Sequence, residues 1–270
     1  MGILPYFCKI INVFIMKKHQ SLFVPLLLLL LVTSCKTPYQ LKDVQRSRIL
    51  VDKTYDALPD PEVDEFIKPF RHVVDSQMSP VVGRAACYLA AAKPESNLSN
   101  LLADILVWAA KNYNEQPDLS IYNMGGIRAG FAEGNVTYGD VLDVAPFDNK
   151  ICFLTLTGEK LMELFRQIAS THGQGVSGSV RLVITADGQL VDAKVDGKDI
   201  DPAGSYRIAT LDYLAQGNDN LSAFKSATNL VSPQEERNNA RFIIIDYFRA
   251  EAAKGKAVEA AVEGRIVEKE

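Results

Sequence analysis

Three short segments of the sequence carry side chains suited to binding chemistry. Asn123-Met124-Gly125-Gly126-Ile127-Arg128 follows an apolar run. Its two glycines let a backbone turn sharply and approach a ligand closely, and Arg128 presents a planar fork of donors to oxygen-rich groups. The same residues also read as a plain tight turn with a surface arginine. Thr210 to Asn220 supplies Tyr213 and Asp219, an aromatic plate and a carboxylate on one loop. Val144-Ala145-Pro146-Phe147-Asp148-Asn149 adds a second ring on a proline-started turn. Two facing rings would sandwich a planar base, and a carboxylate would accept hydrogen bonds from sugar hydroxyls, which is what binding a nucleoside needs. Taken singly, each ring reads better as part of a core.

Histidine limits what else is possible. The sequence holds three, and His19 lies in the N-terminal leader, which leaves His72 and His172. A two-metal hydrolase draws on several histidines together with carboxylates, and no His-X-His or Gly-Asn-His-Glu run occurs. No metal ligand and no catalytic residue is therefore expected in this chain. His72, beside Arg71 on the polar side of a helix, and His172, at the start of a glycine-rich loop, read as surface residues. No serine sits in a nucleophile-elbow glycine pattern. Cys87 and Cys152 lie in apolar settings and read as buried thiols, with a disulfide between them left open.

The elements that must hold these segments follow from periodicity. Val63, Phe66, Ile67, Phe70, Val73 and Val74 share one helical face from Pro61 until Pro80. A strand is expected over Val81 to Ala91. Asn97 to Lys111 forms an amphipathic helix, and Leu119 to Tyr122 a short strand running into the first candidate segment. A helical turn over Thr137 to Asp143, a strand over Lys150 to Thr155 and a helix over Gly158 to Ser170 come next. The loop Gly173 to Gly178 precedes two strands joined at Ala186-Asp187-Gly188, a hairpin signal. Tyr206 to Leu211 reads as a strand, Gln234 to Ala253 as a long helix and Gly264 to Val267 as a last strand. Helices and hairpins intermingle, so the expected class is α+β, a single mixed-sheet domain with helices packed on it, rather than a doubly wound parallel sheet.

The N-terminus reads as an address. Met16-Lys17-Lys18-His19-Gln20 precedes an apolar run from Leu22 to Val32 that ends at Thr33-Ser34-Cys35. A basic start, an apolar stretch too short to span a bilayer and small residues before a cysteine resemble a bacterial lipoprotein signal, with Cys35 as the lipidated residue. On this reading 1–35 is the signal, with 1–15 read as a mis-assigned start or a longer anchor, 36–60 a polar tether and 61–270 the folded domain; a transmembrane anchor or a buried hydrophobic helix is the alternative for the apolar run. The protein would sit in the bacterial cell envelope, lipid-anchored to a membrane and facing periplasm or cell surface. In the chain of 270 residues, 29 basic residues stand against 33 acidic ones for a net charge of −4, without the positive surface that nucleic acid demands.

In order along the chain, Glu95 to Asp104, Asn123 to Arg128, Gly139-Asp140-Val141-Leu142, Ala145 to Asn149, Val176-Ser177-Gly178 and the Tyr213 to Asp219 loop resemble the C-terminal domain of 5′-nucleotidases, the family of ecto-5′-nucleotidase and the bacterial UDP-sugar hydrolases. The resemblance runs from about Glu62 to the C-terminus. It implies a domain that binds the nucleoside part of a nucleotide: Asn123 and Arg128 toward base and ribose on the Gly125-Gly126 turn, Phe147 and Tyr213 stacking on the base, Asp219 holding ribose hydroxyls. The family usually has phenylalanine in place of Tyr213 and Gly-Gly-Asp-Gly in place of Gly217-Asn218-Asp219-Asn220. It also implies that hydrolysis, with two divalent metals, belongs to a metallophosphatase domain on a partner chain. A nucleoside- or nucleotide-binding lipoprotein with no part in hydrolysis, and a scaffold that has lost its ligand, are the alternatives.

Overall fold

The computed structural model describes residues 41–50, 53 and 60–269. The chain divides into two units, 1–59 and 60–270. In the first, residues 41–50 are exposed and without regular structure, and the proposed signal and Cys35 lie outside the described residues. The second contains all the elements that follow.

It opens with helix α1, Pro61–Met78. The Asp60 carboxylate accepts from the N–H groups of Glu62 and Val63, Pro61 fills the first helical position, and Glu62 and Asp64 complement the helix dipole. The apolar stripe predicted the helix correctly but not its surroundings. Val63, Phe66, Phe70, Val73 and Val74 are all between 52% and 72% exposed.

The rest is built around a five-stranded mixed sheet in the order β10-β4-β9-β2-β5. Its members are β2 (Leu119–Tyr122), β4 (Ile151–Thr157), β5 (Gly175–Val176), β9 (Ser205–Leu211) and β10 (Thr228–Val231). β2 runs parallel to β9 and the remaining pairs are antiparallel. Side chains alternate across a strand, so the inner strands β4, β9 and β2 each feed two cores. In β4, Ile151 and Phe153 enter one hydrophobic cluster while Cys152, Leu154 and Leu156 enter the other. The first cluster is closed by α2 (Asn97–Ala109) and α6 (Ala240–Ala253), through Leu98, Leu102 and Leu106 and through Ile244 and Phe248. The second is closed by α4 (Gly158–Ser170), through Leu161, Leu164, Phe165 and Ile168. The central sheet is thereby covered on both faces.

Two smaller sheets complete the unit. β1 (Val81–Ala85) pairs antiparallel with β3 (Gly134–Thr137), which leads directly into α3 (Tyr138–Val144). β6 (Val180–Thr185) and β7 (Leu190–Val195) form the expected hairpin, extended by β8 (Lys198–Asp199) on one side and by parallel β11 (Ile266–Lys269) on the other. The α+β class holds, with the strands divided among three sheets. Two expected boundaries move by more than two residues. The strand expected over Val81 to Ala91 ends at Ala85, after which the Ala86 N–H turns to the carbonyl of Val258. The helix expected from Gln234 begins at Ala240, because the Asn239 side chain caps it by accepting from the Arg241 N–H. Cys87 is half-buried and Cys152 buried, and both are free thiols. Burial pushes the Cys152 thiol up to about 12, with help from Asp212.

Candidate functional site

The topology of the central sheet brings the three candidate segments together. Because β2 and β9 are parallel neighbours, the chain leaves both at the same edge. Strand β4 is antiparallel to β9, so the residues that precede it arrive at that edge too, with Ile151 opposite Leu211. The Asn123–Gly126 turn after β2, the 146–149 turn before β4, and the short helix α5 (Asp212–Ala215) with the loop to Asn220 after β9 therefore converge. Between them lies a cavity of about 170 Å³ lined by Asn123, Gly125, Phe147, Asn149, Tyr213 and Asp219.

Five of the seven expected binding residues form its walls. Gly126 is buried just behind, in a recess shared with Tyr122, Ala145 and Phe147. A Cβ on Gly126 would stand 2.7 Å from Asn123 Oδ1, so the missing side chain makes room for that amide. Arg128 is exposed on the outer side of the turn, where its guanidinium reaches the Gly125 carbonyl at 3.4 Å; it is not a wall of the cavity.

Asn123 is the most informative wall. It is only 3% exposed, and its Oδ1 is buried without a hydrogen-bond partner. An unmet buried acceptor costs about 1–3 kcal/mol and calls for an explanation. The turn around it is held by Gln174, whose Oε1 accepts from the Met124 N–H at 2.8 Å. Neither ring belongs to the core: Phe147 is 47% exposed and Tyr213 36%. The core reading of each ring is thereby set aside.

Tyr213 and Asp219 are joined directly. The phenol donates to Asp219 Oδ1 at 2.9 Å, and this bond to a carboxylate, ahead of burial, raises the pKa of the phenol above its ordinary value. The loop that carries them closes through Asn218 Nδ2, which donates to the Tyr213 carbonyl at 2.8 Å.

Other residues of the site escaped the sequence reading. Asn149 belongs to the third segment but was given no role. Arg241 donates to the carbonyl of Pro146 and to Asp148, Asn239 Nδ2 donates to Asp148 at 3.1 Å, and the Ala240 N–H donates to the Asn149 carbonyl. The start of α6 thus clamps the turn that presents Phe147. No local pattern signals it, since the partners are 93 residues apart. A larger cavity of about 360 Å³, beside Trp108, Tyr113 and Arg237, contains none of the expected residues. Among the described residues no group of three or more His, Cys, Asp or Glu is placed to hold a metal ion, and both His72 and His172 are exposed. None of the described helices is long and apolar enough to cross a membrane.

Residues 81–226, more than half of the chain and including all three cavity segments, match the family described as 5′-nucleotidase, C-terminal domain. The chain belongs to that family. Within it, this 5′-nucleotidase C-terminal domain is 25% identical over 211 residues to Protein UshA of Escherichia coli, an alignment that takes in 75% of this chain and 37% of UshA. It is 30% identical over 190 residues to the trifunctional nucleotide phosphoesterase protein YfkN of Bacillus subtilis, covering 64% of this chain and 12% of YfkN. Among solved structures it is similar to the 5′-nucleotidase precursor of Thermus thermophilus, with a TM-score of 0.68 at 25% identity over 79% of this chain and 44% of that one. The chain therefore spans well under half the length of these relatives.

Proposed function

We propose that this chain is the nucleoside- or nucleotide-binding subunit of a split 5′-nucleotidase-type phosphohydrolase, acting in nucleotide breakdown. Hydrolysis would take place on a separate metallophosphatase chain that carries two divalent metal ions. The supporting observation is the cavity itself, in which two half-exposed rings, one unmet buried acceptor and one carboxylate converge. Rings take the faces of a base, Asn123 Oδ1 takes a donor on its edge, and Asp219 takes sugar hydroxyls. At about 170 Å³ the cavity is smaller than the ~300–1,000 Å³ usual for a whole ligand. It suits a base and leaves the 5′ end of the nucleotide outside, where a second chain could act on the phosphate. Arg128, exposed on the rim of the turn, would meet oxygen atoms of the ligand's sugar. Lipidation at Cys35 would hold the protein at a membrane of the bacterial envelope, facing periplasm or surface. A partner anchored to the same membrane would gain effective concentration, so a weak interface would suffice.

Calorimetric titration of the purified chain with adenosine, AMP and ribose 5-phosphate tests this reading. Adenosine and AMP should saturate with dissociation constants on the order of micromolar to millimolar, and ribose 5-phosphate, which lacks a base, should give no saturable heat. Binding of ribose 5-phosphate as tight as that of AMP would sink the base-in-cavity assignment. Release of phosphate from AMP by this chain alone in the presence of Mn²⁺ would refute the division of labour between two chains.

A further inference from the structure

A carboxylate with both oxygens free grips a vicinal diol with one hydroxyl on each oxygen. Asp219 is not in that state. Its Oδ1 already accepts from the Tyr213 phenol at 2.9 Å. Its Oδ2 is the oxygen nearest the Asn123–Gly126 turn, 3.7 Å from where a Cβ on Gly125 would stand. The phenol is not free to swing away without cost, because the loop behind it is closed at several points. Asn218 Nδ2 donates to the Tyr213 carbonyl, the Gly217 N–H to the Leu214 carbonyl and the Leu221 N–H to the Asn218 carbonyl. Asp219 and Asn220 both stand in the left-handed region, at φ 54° and 63°. Non-glycine residues enter that region at some cost, which the phenol–carboxylate bond helps to offset.

Resting on the nucleoside reading above, we propose that Tyr213 occupies one oxygen of Asp219 and leaves Oδ2 to read a single sugar hydroxyl, so that the site accepts a class of deoxyribonucleosides nearly as well as ribonucleosides. A second ribose hydroxyl would have to share Oδ1 with the phenol or displace it, and in either case it gains less than it would from a free carboxylate oxygen. The hydroxyl on Oδ2 faces no such competitor and keeps the full value of a bond to a charged acceptor. Phenylalanine at position 213 would keep the ring and remove the competitor.

The test is calorimetric titration of the full chain and of Tyr213→Phe with adenosine, 2′-deoxyadenosine and 3′-deoxyadenosine. In the unmodified chain one deoxynucleoside should bind within two- to threefold of adenosine, and the other about tenfold more weakly. In Tyr213→Phe both should bind about tenfold more weakly than adenosine, because the freed Oδ1 now takes the second hydroxyl. A merely structural role for the phenol would shift all three ligands together and leave their ratios as they were. Equal tenfold losses in the unmodified chain, or unchanged ratios in Tyr213→Phe, overturn this inference alone. Absence of binding for all three nucleosides in both proteins overturns it together with the nucleoside reading.

Discussion

Replacing Asn123 by alanine should weaken adenosine binding about 10- to 100-fold while leaving the urea midpoint of the protein unchanged or raised. The two signs differ because of one atom. Oδ1 of Asn123 is buried and unpaired, so in the unliganded protein it is a burden that alanine removes, at a benefit of up to about 1–3 kcal/mol. In the proposed complex the same atom would be the acceptor for the base, and its loss would leave a ligand donor unpaired in the cavity. An ordinary core substitution lowers stability, and an ordinary surface substitution does nothing to either property. Gly126→Ala should reproduce the loss of affinity by another route. Its new Cβ would meet Asn123 Oδ1 at 2.7 Å and Nδ2 at 2.9 Å, so the amide must move. Calorimetric titration alongside urea unfolding checks both variants. Unchanged adenosine affinity in the pair would remove Asn123 from the ligand site.

The largest stability effect should come from a residue outside the cavity. Arg265 lies just before β11 and is almost fully buried. It forms paired bonds to Asp104 at 2.6 and 2.8 Å, a bond to Glu263 and one to the Val176 carbonyl. It ties the C-terminal strand to α2 and to β5, the edge strand next to β2. Asp104→Ala should cost about 2 kcal/mol, less than breaking a fully buried pair, because the Asp104 carboxylate is itself half-exposed and Glu263 remains as a second counter-charge. The same variant removes the acceptor for the Gly178 N–H. A fall in the urea midpoint at constant slope would show it. A loss below about 1 kcal/mol would mean that Glu263 alone satisfies the guanidinium.

What the sequence made legible follows physical lines. Strand β2 and helix α4 match their expected bounds, because each is a clear apolar pattern, the one giving way to the polar Asn123 and the other capped by Thr157. Strand β10 did not, since all four of its residues are exposed and show no alternation. The start of α6 lies later than expected because the polar run 234–239 ends at Asn239, whose side chain caps the helix. In the site, residues adjacent on one turn were recoverable, as were Tyr213 and Asp219, six residues apart on one loop. The clamp of Arg241 on the Phe147 turn was not, because it exists only once α6 has packed against the sheet. The apolar stripe of α1 shows the converse failure: periodicity reports a helix and its face, but not whether anything lies against that face.

That stripe bears on how the protein opens. Helix α1 buries no side chain, and Pro69 within it removes one of its own backbone bonds. Tertiary packing normally carries a helix of this length, and isolated helices of similar length are marginal in water. Its anchorage is at one end, where Met78 lies against Gly139 and the Tyr138 N–H reaches the Pro80 carbonyl. The N-terminal turns should therefore be only weakly coupled to the cooperative body and should fray and re-form in local excursions that leave the central sheet closed. Amides near residue 65 should exchange far faster than those of α2, and a global unfolding curve would scarcely register the event.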